Sequence, residues 1–393
     1  RRVSLDLSGV IPSEESAREY LLSKKPNKYQ AKIDALLETP AYARTQALRW
    51  AYLLVGRDYL IRSKNMSAVK KMRKRRARLM GGESMEDEGV YAGEDAHSLD
   101  EWLAARFNEN TSWDEVATSL ITAKGTVDTN PAAYYMLRYS RDGKAPEATG
   151  NVFRVFQGMQ IQCAQCHDHP YDDEFSQRDF WSLAAFFSRT AARRTPPTAE
   201  QLKRYRGNGK AKGPFRVYDR PNGQARMPAP PGETGSLVLP RFLEGQVINP
   251  GVGVDRRAAV ASLITDPKNA YFAKATVNRV WSQFFGRGLI NPVDEITEPS
   301  LVPEVMALLE TDFRASGYDM KRLILLIVST KAYARTSEGR EETKEKELEL
   351  FARAPLRSLS AEQLFYSVLS ATGVEQVRKG SRGAMRRLER MKY

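Results

Sequence analysis

Cys163-Ala164-Gln165-Cys166-His167-Asp168-His169-Pro170 is the stretch around which the rest of the chain has to be arranged. The protein has 2 cysteines and 3 histidines in 393 residues, and both cysteines and two of the histidines fall between positions 163 and 169. The C-x-x-C-H spacing is that of c-type haem attachment. The spacing has a mechanical reason. Two thiols three residues apart lie on one side of a helical turn, where each can add to a haem vinyl group, and the adjacent imidazole faces the iron from the proximal side. The residues therefore read as one covalently bound haem c, held by Cys163 and Cys166, with His167 as proximal iron ligand.

His169 cannot be the sixth ligand of the same haem, because two residues do not carry a chain around the porphyrin edge. With Asp168 it is assigned to the cofactor's surroundings, orienting a propionate or the proximal loop. Met159, Met136 and His97 are the candidates for the far face, with an open position as the alternative. A methionine ligand would raise the potential and favour electron transfer, whereas an open site would admit small ligands or peroxide. Arg154, Arg178 and Arg189 are the cations near enough in sequence to pair with propionates. Two other classes compete. A dithiol oxidoreductase would cycle Cys163 and Cys166 as a disulfide, but the βαβ context of that chemistry is missing. A cofactor-free envelope binding or structural protein would use the C-x-x-C as a disulfide or part of a metal site.

Around this stretch the pattern is mainly α. Ser13 is placed to cap a helix through Leu22, Tyr29 to Leu37 repeat at helical spacing up to Thr39-Pro40, and a further helix runs from about Tyr42 to Leu53. Ser98 and Ser112 are read as caps of the next two helices. Pro131 opens another, and Asn151–Met159 leads directly into the cysteines. Behind them Phe180, Trp181, Leu183, Phe186 and Phe187 form the densest aromatic cluster, either a haem wall or plain core. From 193 to 254 proline, glycine and basic residues dominate; Gly207-Asn208-Gly209 reads as a tight turn, and Phe215–Tyr218 and Leu237–Leu239 as short strands. From Asp255 helices return: Arg256–Ile264, Ala273–Phe285, Val302–Phe313, Met320–Val328 and Ala361–Ala371. The expected organisation is two helical domains, 1–192 and 255–393, joined by an irregular, partly β connection.

The net charge of +13 permits anionic partners. Seven of the nine residues from Lys70 to Arg78 are cationic, and Glu83 to Asp95 answer them with acid. No aromatic interrupts the basic run, so bases have no stacking platform and no nucleic-acid partner is expected. No apolar run approaches the roughly 18 residues of a membrane-spanning helix. The start, Arg1-Arg2-Val3-Ser4, is read as a processed chain or a fragment. No glycine loop for phosphates and no G-x-S-x-G elbow is present, which argues against a separate hydrolytic or transferase site.

Several motifs in order resemble the planctomycete-type cytochrome c-like paired-domain family. They are Arg2-Val3-Ser4-Leu5-Asp6-Leu7, Cys163 to Pro170, Phe175-Ser176-Gln177-Arg178-Asp179-Phe180, Pro240-Arg241-Phe242, Asp255-Arg256-Arg257-Ala258, Val277-Asn278-Arg279-Val280-Trp281, Phe284-Phe285-Gly286-Arg287-Gly288-Leu289 and Ala354-Pro355-Leu356-Arg357. The resemblance implies two adjoining domains of unknown function, a location in the periplasm or cell envelope, a redox partner protein there, and an association with sulfatase-like secreted proteins. The insert around 65–95 departs from the family pattern, and the chain stops short of the family's usual C-terminus.

Overall fold

The computed structural model describes residues 1–56, 94–140, 145–170, 175–196, 213–245, 254–339 and 341–372, without the side chains of 94–98, 140 and 244. The basic–acidic insert and the Gly207-Asn208-Gly209 turn lie outside the described residues. Among the described residues, fifteen α-helices and five short strands make the chain mainly α.

The N-terminal part opens with α1 (Arg2–Ser8), whose Leu5 and Leu7 are buried. Helix α2 (Glu14–Leu22) is capped by Ser13 but buries no residue. Helix α3 (Lys28–Leu37) turns Ile33, Leu36 and Leu37 inward. Helix α4 (Pro40–Val55) starts on Thr39, whose hydroxyl accepts from the Tyr42 amide, and has proline in its first turn. Its Tyr42, Gln46, Trp50 and Leu54 recur every four residues, and this stripe packs on α5 (Glu94–Glu109). Helix α5 begins at Glu94 rather than after Ser98. Helix α6 (Trp113–Thr122) brings Trp113 to 4.1 Å from Trp50, centroid to centroid.

Two helices form the centre. Helix α7 (Ala133–Ser140) lies beside α8 (Ala145–Phe156), which buries every residue from Ala148 to Phe156 except Arg154. A helix apolar on nearly all sides belongs inside. It starts at Ala145, six residues before Asn151, and runs straight through Gly150. In the C-terminal half, α11 (Phe272–Phe285) buries eleven of its fourteen residues and packs against α8. Helix α9 (Gln177–Ala184) lies next to the cysteine turn, and α10 (Arg256–Thr265) packs on α6. Helices α12 (Pro303–Ala315) and α13 (Met320–Val328) pack on α11. Helices α14 (Lys344–Glu349) and α15 (Ala361–Thr372) follow.

The middle of the chain supplies two small antiparallel sheets. Strand β3 (Phe215–Asp219) lies between β1 (Gly125–Thr126) and β2 (Thr190–Arg194), with Val217 opposite both Gly125 and Ala192. Strands β4 (Ala225–Arg226) and β5 (Leu237–Val238) form the second. Among the described residues no helix is long and apolar enough to cross a membrane.

One hydrophobic cluster runs from Val3 to Phe351 through both halves. Buried ion pairs reinforce it. The carboxylate of Asp6 in α1 accepts from Arg357 at 2.7 Å on both oxygens and from the Tyr333 hydroxyl at 2.8 Å. The Arg2 guanidinium stacks 4.0 Å over the same tyrosine ring. Burial, and then the Asp6 charge, drive the Tyr333 phenol far above its usual value, so it stays a donor. Asp6→Asn keeps the shape and removes the charge opposite Arg357. It is expected to cost about 1.5–3 kcal/mol in a denaturant titration, the usual worth of hydrogen bonds to charged groups.

Candidate functional site: the cysteine turn

Met159 leaves α8, and Ile161–Gln165 then form a 3-10 helix that ends on Cys166. Three residues per turn put positions i and i+3 on one side. The turn closes with the Cys166 amide donating to the Cys163 carbonyl at 3.4 Å. Both thiols are unbridged and exposed, while Ile161 and Ala164 face the core. The cysteines thus lie on and just after a 3-10 turn rather than an α-turn.

His167 is exposed, and its Nδ1 lies 2.6 Å from the Asp168 carbonyl oxygen. A carbonyl only accepts, so Nδ1 carries the proton, and in the neutral ring the lone pair is on Nε2. His169 turns the other way: its Nε2 donates to the Gln160 carbonyl at 3.1 Å, and its amide donates to Phe175 O at 3.0 Å. It staples the loop after the cysteines to the residue before them.

Helix α9 holds the turn from the other side. Ser176 and Asp179 form a capping box, and Asp179 is also paired with Arg241. The Gln177 amide donates to Asp168 Oδ1 at 2.7 Å, fixing the residue whose carbonyl orients His167. Gln177 Nε2 and Trp181 Nε1 both donate to the Gln165 carbonyl, at 3.2 and 3.1 Å. Below the turn, Gly150 of α8 lets the Gln162 side chain lie on the helix; a Cβ there would stand 2.3 Å from Gln162 Cγ. Gly150→Ala is therefore expected to turn the exposed Gln162 side chain off α8 with a net stability change within about 1 kcal/mol, because Ala is favoured over Gly inside a helix, measurable by thermal or denaturant unfolding.

The other residues singled out by sequence are scattered. Met159 is partly buried and bridges to Glu295 of the C-terminal half. Met136 is sealed in the core within α7. The His97 side chain lies outside the described residues. Arg154 donates to the Leu53 carbonyl and sits 3.7 Å from Asp294, and Arg189 is buried with a bond to the Val254 carbonyl. Of the three arginines only Arg178 stands exposed. Phe180, Leu183, Phe186 and Phe187 are at most 1% exposed and are core; Trp181, partly buried, is the member of that cluster that touches the turn. Gln160, Gln165, Gln177 and Gly150 are site residues that sequence reasoning missed. The one legible signal was the S-x-x-D capping box at Ser176–Asp179.

The donor chemistry fits a covalently attached haem: two exposed thiols on one side of a turn, then an imidazole whose second nitrogen already has its proton acceptor. Among the described residues no group of three or more His, Cys, Asp and Glu side chains is arranged to hold a bare metal ion. A cleft of about 510 Å³ lies elsewhere, between α5, α6 and Asp255, lined by Trp102, Arg106, Lys124 and Asn130. Its cations are internally paired, Lys124 with Asp219 and Asp255 and Arg106 with Glu109.

Comparison with known families matches residues 1–78 and 70–192 to PSCyt2, a protein of unknown function (DUF1549), and residues 256–393 to PSD1, a protein of unknown function (DUF1553). No curated protein and no solved structure matches the chain. The motifs quoted above fall on the cysteine turn, on its α9 support and on ties between the halves. The two family models thus match in tandem, PSCyt2 over the N-terminal part and PSD1 over the C-terminal part, as in a paired-domain family.

Proposed function

We propose that the protein is an envelope-located c-type cytochrome that carries one haem and transfers electrons. The observation that carries this reading is the shared side of the Cys163 and Cys166 thiols, next to an imidazole whose Nδ1 proton is taken by the Asp168 carbonyl. Cys163 and Cys166 would hold the cofactor and His167 Nε2 would bind its iron; when bound, the haem supplies a one-electron couple. The remaining roles belong to the chain. Asp168 fixes the imidazole, His169 pins the loop to Gln160, and Gln177 and Trp181 hold the turn against α9. Met159, four residues before Cys163, is the distal candidate, and loss of carbon monoxide binding would separate its ligation from an open site. The location follows from the cofactor, since c-type haem is attached outside the cytoplasmic membrane. The partner is then a redox protein of the envelope, with a sulfatase-like secreted protein as a further associate by family resemblance. No separate hydrolytic or transferase activity is assigned.

The test is absorption of the exported protein. A Soret band that stays with the protein through acid-acetone extraction is expected, and a colourless, correctly exported chain would overturn the reading. One observation favours a second reading. The aromatic side chains best suited to wall a haem are spent in the core, as they would be in a cofactor-free structural or binding protein with Cys163 and Cys166 as a disulfide.

A further inference from the structure

We propose that Asp294, in the C-terminal half, is a positioning residue for the cysteine turn; its redox consequence rests on the haem reading above. Helix α8 ends immediately before the turn, and its last carbonyls need partners from outside the helix. Arg279 of α11 provides one, donating to the Arg154 carbonyl at 2.8 Å, and the same guanidinium nitrogen is paired with Asp294. The Arg279 side chain is 8% exposed, and Arg154 reaches within 3.7 Å of the other Asp294 oxygen. Asp294 therefore stands between two guanidiniums that would otherwise repel across the end of α8. Burial depresses the Arg279 pKa and the neighbouring Asp294 opposes that effect.

The residues after Asp294 continue the contact. The Ile296 amide donates to the Gly158 carbonyl at 3.1 Å, Met159 pairs with Glu295, and Lys274 holds the Ile296 carbonyl at 2.9 Å. Gly158 takes φ +67, and a Cβ there would stand 3.0 Å from Ile296 Cβ and 3.1 Å from Ala275 Cβ. Residues 158–160 are thus a rail clamped by the C-terminal half, and Gln160 on that rail is the anchor of His169. Loosening Asp294 frees the rail, and through it the loop that carries His167.

The experiment uses the full chain with Asp294→Ala, Asp294→Asn and, as a control at another tie between the halves, Asp6→Asn. Hydrogen exchange of residues 157–170 is expected to be at least ~10-fold faster in Asp294→Ala, with the core helix 320–328 unchanged. Asp294→Asn, which keeps an acceptor, should fall between, and Asp6→Asn should leave 157–170 as in the parent. In the haem-loaded protein Asp294→Ala should shift the midpoint potential from the parent's, whereas Asp6→Asn should not. Unchanged exchange at 157–170, or exchange that rises equally at 320–328, would overturn the positioning role. A colourless parent would defeat the haem reading alone, because the exchange measurement still decides the role of Asp294.

Discussion

Arg257→Met is expected to destabilise the protein by about 3–5 kcal/mol, the cost of breaking a buried ion pair from one side. The Arg257 side chain is fully buried in α10, within the residues that PSD1 matches. It donates to both carboxylate oxygens of Asp219 at 2.9 and 2.8 Å and to the carbonyls of Ile121 and Ala123 at 2.9 and 2.8 Å. Those carbonyls end α6 of the N-terminal part, where a cation is favoured by the helix dipole. Methionine fills much of the same volume but leaves two buried carbonyls and a carboxylate short of partners. The pH dependence has a definite sign. Burial alone would raise Asp219, but the hydrogen bonds and charges of Arg257 and Lys124 outweigh it and hold the carboxyl below its usual 3.8. A depressed carboxylate contributes stability above its unfolded pKa and loses it as pH falls through the folded value. The parent should therefore lose this contribution below about pH 4, and Arg257→Met should show a shallower acid limb in unfolding titrations.

Cys163→Ser with Cys166→Ser is expected to abolish covalent haem completely while leaving the fold intact, since both thiols are exposed and no core contact depends on them. Each single substitution should leave at most one thioether link. His167→Ala should retain both links but lose the strong-field proximal ligand, seen as a changed Soret position and as carbon monoxide binding. His169→Ala should behave differently from His167→Ala. Its ring is turned to the Gln160 carbonyl, so the expected effect is a loosened loop with haem content near that of the parent. Spectra of the variants, with haem quantified per chain, check all of these outcomes.

The helices were legible where burial follows a helical stripe. Met320–Val328 has the expected limits, and Phe272–Phe285 ends on the predicted Gly286, which takes φ 73. The misses have local causes. The helix expected over Asn151–Met159 starts at Ala145 instead and runs through Gly150, where Gln162 presses on α8. Thr190–Arg194 has no alternation of apolar and polar residues and becomes a strand only by pairing with Phe215–Asp219. In the site, the thiols and imidazole were legible because their spacing is the chemistry. Their supports were not, because Gln177 and Trp181 bind a backbone carbonyl twelve and sixteen residues away, which side-chain patterns do not encode. Arg154 and Arg189, near the cysteines in sequence, were open to a propionate or a surface role; packing has engaged both with backbone carbonyls.

The most direct test is the mass of the proteolytic peptide that contains Cys163 and Cys166, taken from the exported, non-reduced protein. The account predicts that peptide with one haem added through both sulfurs. A peptide two hydrogens lighter than the dithiol form, or one carrying no addition at all, would contradict it.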